Sequence, residues 1–186
     1  MVTILTRGDP LLARPSRPVD WPDAQLPDDI RTLRTALQDF RRAQGFGRAI
    51  AAPQVGISKR IVYLHVAELA GAMLNPQITW RSADRFALWD DCLSVPDCIV
   101  RVMRHCSISL DFLDELGRRQ HWERVPAHLS ELLQHELDHL DGVLMTDRAI
   151  DADSIRPVTE RAALIDAVRS ADQPATVASE GLTRES

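Results

Sequence analysis

No apolar run in this chain approaches the ~20 residues needed to cross a bilayer, so no membrane function is expected. The first residues, MVTILTRGDP, lack both the charged-then-apolar order of a signal peptide and the character of a transit peptide. There is no basic block, and the formal net charge is -5, which argues against nucleic acid as the main partner. Cysteine is scarce. Cys92, Cys98 and Cys106 are odd in number and too sparse for a disulfide framework, which suits a reducing cytoplasm. The small-residue stretch from Gly47 to Gly56 lacks the Gly-Lys-Ser/Thr ending of a phosphate loop, and no internal repeat occurs. What is present is 186 residues, 45% hydrophobic and 26% charged, enough for one globular domain with a substantial core.

The most informative stretch is Gln134-His135-Glu136-Leu137-Asp138-His139-Leu140. On a helix, residues four apart share a face, so His135 and His139 can reach one metal ion. Glu136 projects from the flank of that pair, close enough to exchange a proton with a water on the ion. Leu129, Leu133, Leu137 and Leu140 form an adjacent apolar stripe that anchors the helix and sets the histidines at the edge of the buried face. Two histidines leave a third ligand to be found, and in a reducing compartment a cysteine is a candidate.

Along the chain, residues 1–27 read as irregular because five prolines interrupt them. Ile30, Leu33, Leu37 and Phe40 recur at helical spacing, with Asp28 or Asp29 as the cap and Gly45 and Gly47 as the exit. The arginines on the opposite face of that helix are expected to face solvent. Arg60 to Leu64 predicts a strand, and short strands are expected at Ile78–Trp80, Ile99–Val102 and Ser107–Leu113. Asp114 to Gly117 reads as a hairpin turn leading to Gln120–Glu123. Pro126 suits the first turn of the histidine-bearing helix, and Gly142 its end. Residues 1–150 form the expected catalytic domain. Residues 151–186 read as one more helix, through Val158, Ala162, Ile165 and Val168, and a disordered tail. Cys98 and Cys106 are expected to be small apolar filler, and His65, His105, His121 and His128 surface or packing residues.

Three motifs follow one another: Gly47-Arg48-Ala49-Ile50-Ala51-Ala52-Pro53-Gln54, Asp90-Asp91-Cys92-Leu93-Ser94 and Gln134-His135-Glu136-Leu137-Asp138-His139. In kind and order they resemble GxGxAAxQ, EGCLS and QHExDH of the peptide deformylase family. Gly8-Asp9-Pro10, the stretch Leu140 to Leu144, and Asp147-Arg148 are similar to that family too, so the resemblance spans about residues 1–150. It implies an α+β fold with antiparallel strands packed around the central helix that bears HExxH. It implies Cys92, His135 and His139 as ligands of one divalent ion, iron(II) in the cell with zinc, nickel or cobalt as substitutes. Glu136 becomes the general base and acid, and the Gln54 side chain and Leu93 N–H the oxyanion site. The implied substrate is the N-formyl group of formyl-methionine on nascent chains, met at the ribosome in the cytoplasm.

The chain departs from the family pattern at the site. Arg48 replaces an aliphatic residue and Ala49 a glycine, so Gly47, Arg48, Ala49 and Asp91 are expected to shape the substrate cleft. Asp90 keeps the charge of the family's glutamate, with Arg104 as its expected partner. Asp91 puts a carboxylate beside the metal cysteine where the family has glycine, which is expected to disfavour anionic substrates. Asp138 is a candidate to orient a ligand histidine or that histidine's support. Alternatives are a related amidase for another N-formyl or N-acyl substrate, and a catalytically weak metal-binding paralogue.

Overall fold

The computed structural model describes residues 2–67 and 69–164. Among the described residues, eight strands and two α-helices follow in order: α1 (Leu26–Gln44), β1 (Ala49–Ala51), β2 (Ile61–Val66), β3 (Leu69–Arg81), β4 (Arg85–Cys92), β5 (Val95–His105), β6 (Ile108–Leu113), β7 (Arg119–Val125), α2 (Ala127–Leu140) and β8 (Ile155–Pro157). The strands pair antiparallel in two sheets, β1-β2-β3-β6-β7 and β4-β5-β8. Antiparallel sheets with a few helices give the expected α+β class.

The run Ile61-Val62-Tyr63-Leu64 is apolar on both faces because both faces of β2 are covered. Val62 and Leu64 join Ala49, Ala51 and Met73 in a cluster with Leu129, Leu132, Leu133 and Leu140 of α2. Ile61 and Tyr63 point the other way, into Leu26, Leu33, Ala36 and Leu37 of α1. A third cluster lies on the smaller sheet, where Val95, Val100 and Val102 pack with Leu12, Cys92, Cys98, Leu144 and Met145. Helix α2 contacts β1 and β2 of one sheet and β5 of the other, and is buried on nearly every face. His135 and His139 are therefore inside the fold, 6% and 1% exposed, and not at the edge of a buried stripe.

Several elements differ from expectation. Helix α1 starts at Leu26, a turn before the expected caps, with Pro27 in its first turn and Gln25 as a cap without a side-chain bond. Asp29 is used elsewhere: it and Asp23 accept from Lys59 Nζ at 2.7 and 2.6 Å, tying α1 to the approach of β2. On the opposite face, Arg41 Nη1 donates to the carbonyl of His65 at 3.0 Å instead of only facing water. The strands expected at Ile78–Trp80 and Ile99–Val102 are parts of the longer β3 and β5, Ser107–Leu113 matches β6, and β4 lies in a stretch with no strand expected. Cys92 pairs with Val95 across a tight Leu93-Ser94 turn, and Pro96 sits at the start of β5, where a missing N–H costs least. The β6–β7 hairpin forms as expected, as does α2 between Pro126 and Gly142.

After α2, β8 adds a third strand beside β5, pairing Val100 with Ile155 and Cys98 with Pro157. Residues 161–164 are helical, and the rest of the expected C-terminal helix and tail lies outside the described residues. Among the described residues, no helix is long and apolar enough to cross a membrane.

Candidate metal centre

The β4–β5 hairpin carries Cys92 at its tip and α2 carries the two histidines, so the packing of α2 on β5 brings them together. The donor atoms of Cys92, His135 and His139 lie within 4.8 Å of one another, all buried. Cys92 Sγ is 3.2 Å from His139 Nε2. A divalent ion holds sulfur at about 2.3 Å and imidazole nitrogen at about 2.0–2.1 Å, so one ion fits donors this close. One thiolate and two imidazoles also leave a fourth position for a reactant, the mark of a catalytic site.

Asp90 orients the cluster. His135 Nδ1 donates to Asp90 Oδ2 at 2.9 Å, which leaves Nε2 as the nitrogen that a metal ion would take. Arg104 Nη2 donates to the same oxygen at 3.2 Å, as expected. Burial works against the Asp90 anion, but His135 and Arg104 outweigh it and hold its carboxyl below the usual range. Burial likewise opposes a charged His135, yet Asp90 and Cys92 favour its proton strongly enough to raise its pKa well above the ordinary value. His139 moves the opposite way, lowered by burial and then by the neighbouring His135 charge. Asp138 touches neither ligand histidine but holds Arg104, which bonds the Asp90 support of His135, the second of its two expected roles. It accepts from Arg104 Nη1 at 2.5 Å and from Arg148 Nη2 at 2.8 Å, so Arg104 is held between two carboxylates.

Glu136 is 3% exposed, and burial pushes its carboxyl up to about 7. Its Oε2 has no partner among the described residues, as suits a base whose proton donor is water or substrate. Gln54 is held by its carbonyl, which accepts from Ala51 N at 2.8 Å. Its Nε2 then points to Ser94 Oγ at 3.1 Å and stands 3.8 Å from Cys92 Sγ.

Of these groups, His135, Glu136 and Asp90 line a cavity of about 590 Å³ together with Leu93, whereas Cys92 and His139 do not. Gly47, Arg48, Ala49 and Asp91 line it as well, so all four positions expected to shape the cleft meet at one opening. Gln54 stands behind the wall. The cavity lies between β1 and β4, each an edge strand paired on one side only.

The sequence matches the polypeptide deformylase family over residues 1–154. The chain belongs to this family. It is 38% identical over 141 residues to a peptide deformylase of Treponema pallidum, covering 76% of this chain and 83% of that one. A peptide deformylase of Synechocystis is 38% identical over 148 residues, covering 76% and 75%. Among solved structures, the peptide deformylase of Thermotoga maritima superposes with a TM-score of 0.73 at 30% identity, covering 81% of this chain and 99% of that one. That of Synechococcus elongatus, in complex with actinonin, also gives 0.73 at 30% identity, covering 89% and 85%.

Two departures from the family pattern have partners that sequence reading missed. Arg48 Nη2 pairs with Glu131 at 2.6 Å, and Glu131 is 7% exposed, one turn before His135 on the same helix face. Burial raises the pKa of Glu131, with Arg48 opposing. Its i, i+4 spacing to His135 is a signal the sequence did carry. Asp91 is not the unopposed charge expected of it, because Arg161 pairs with it at 2.5 Å. Those two are 70 positions apart, and nothing local announces the pairing.

Proposed function

We propose that this chain removes the N-formyl group from the formyl-methionine of nascent peptides, releasing formate and a free amino terminus. The observation that carries the reading is the buried Cys92–His135–His139 cluster, whose His135 lines one cavity together with Glu136. Cys92, His135 and His139 would hold the divalent ion, iron(II) in the cell with zinc, nickel or cobalt able to replace it. When bound, such an ion supplies Lewis acidity, which acidifies water and polarises a carbonyl.

The chain's own groups do the rest. An extended peptide entering between β1 and β4 meets unpaired backbone on both edges. Glu136 takes the proton of the water that adds to the formyl carbon. The Gln54 amide and the Leu93 N–H stand on the Cys92 side of the cluster and stabilise the oxyanion, each contributing about 3–4 kcal/mol. Glu136 then delivers its proton to the nitrogen as the C–N bond breaks, so formate and amine leave in balance. Asp90 keeps the His135 ring in one tautomer throughout. The substrate is met in the cytoplasm as chains leave the ribosome.

Formate release from formyl-methionyl peptides, compared with N-acetyl and other N-formyl substrates, tests the reading. Turnover of formyl-methionyl peptides above the others supports it. A preference for another acyl group points to the related amidase, and ion binding without turnover points to the inactive paralogue.

A further inference from the structure

One end of the cavity is built by chain beyond the family match, which stops at residue 154. After β8 the chain crosses β5 and brings Arg161 to Asp91 on β4. Arg161 Nε donates to Asp91 Oδ2 at 2.7 Å, and Nη2 lies 2.5 Å from the same oxygen. The guanidinium carbon sits 4.9 Å from the centre of the Phe46 ring, in cation–π contact. Arg161, Asp91 and Phe46 all line the cavity, and they come from three separate parts of the chain.

The geometry has two consequences. One hydrogen bond from Nε and the nearby guanidinium charge hold Asp91 Oδ2 in place. Asp91 Oδ1 meanwhile accepts no bond among the described residues, while the side chain stays partly open to the cavity. A peptide in the cleft carries N–H donors and few other ways to reach that wall.

Resting on the proposed deformylase activity, we infer that Arg161 is a substrate-positioning residue. It holds Asp91 so that Oδ1 accepts a hydrogen bond from the formylated peptide, and with Phe46 it closes one end of the cleft. Arg161 itself touches none of the reacting atoms, so its effect falls on binding. The segment after residue 154 is thereby part of the active site.

The test uses the full chain loaded with one divalent ion and a formyl-methionyl tripeptide. Arg161→Ala should raise KM about tenfold or more, keep kcat within about threefold, and leave metal content unchanged. Arg161→Lys, which keeps the charge and loses the fork, should fall between. The double variant Asp91→Gly with Arg161→Ala should be no worse than the worse single variant, because both remove one interaction. An unchanged KM in Arg161→Ala, or single effects that multiply in the double variant, would overturn the inference.

A second readout needs no turnover. Tryptic cleavage after Arg161 should be slow in the native protein and about tenfold faster or more in Asp91→Gly, as the latch opens. Equal rates overturn the latch. Native protein that shows this difference but releases no formate keeps the latch and loses the deformylase reading.

Discussion

His135 and His139 are the same residue type one turn apart, and their surroundings divide the work between them. Asp90 accepts from His135 Nδ1, whereas His139 Nδ1 has no partner among the described residues. The first ring is thus held by a charge network running through Asp90, Arg104 and Asp138, and the second by packing and its contact with Cys92 Sγ. Replacing Asp90 by Asn keeps the shape of that network and removes its charge, so ion affinity should fall by about 10–100-fold in a competition titration. An unchanged affinity would mean that Asp90 serves only Arg104. The Asp90–Arg104 pair was legible from spacing, and so was a supporting role for Asp138, though not the arginines it binds. It projects about 100° around the helix from His139, toward Arg104 and Arg148 and away from the rings.

At the scale of elements, the site depends on how α2 ends. Gly142 follows the helix in a left-handed conformation, φ 74°, and an added Cβ would stand 2.8 Å from the Ala13 carbonyl carbon. Ser16 N donates to the Leu140 carbonyl at 2.8 Å, so the N-terminal segment is fitted closely against this turn. Gly142→Ala should cost about 2 kcal/mol or more in urea unfolding, from positive-φ strain together with the backbone clash. A loss under about 0.5 kcal/mol would show that the N-terminal segment yields easily. Helix α2 and its two boundaries were legible because periodicity, Pro126 and Gly142 agree. The strands were less so. The outer part of β3, Gln77–Arg81, was readable because Ile78 and Trp80 alternate with polar residues, whereas β4, Arg85–Cys92, was not expected. That stretch is a strand because β5 lies beside it, a partner that local sequence does not reveal.

At the scale of the whole molecule, two core clusters meet at the metal centre. Cys92 belongs to the cluster of the small sheet, while the histidines ride on a helix anchored in the cluster of the large one. An ion held by all three residues therefore ties two halves of the core together. With free ion at a thousandfold its Kd, loading should add about 4 kcal/mol of stability, a rise in Tm of roughly 8–16 °C for a domain of this size. No shift on loading, or an equal shift in Cys92→Ala, would place the ion elsewhere. The family, the fold class and the cluster were all readable from three short motifs. The contribution of Arg161 was not, because it depends on β8 pairing with β5 and on a crossing that only the folded chain makes.

The most direct measurement is made on Glu136→Ala, with metal content and formate release determined on the same preparation. The account predicts a full complement of ion and a fall in kcat of about 10²–10⁴-fold, since the ligands remain and the proton carrier is gone. Formate release at the native rate would contradict it.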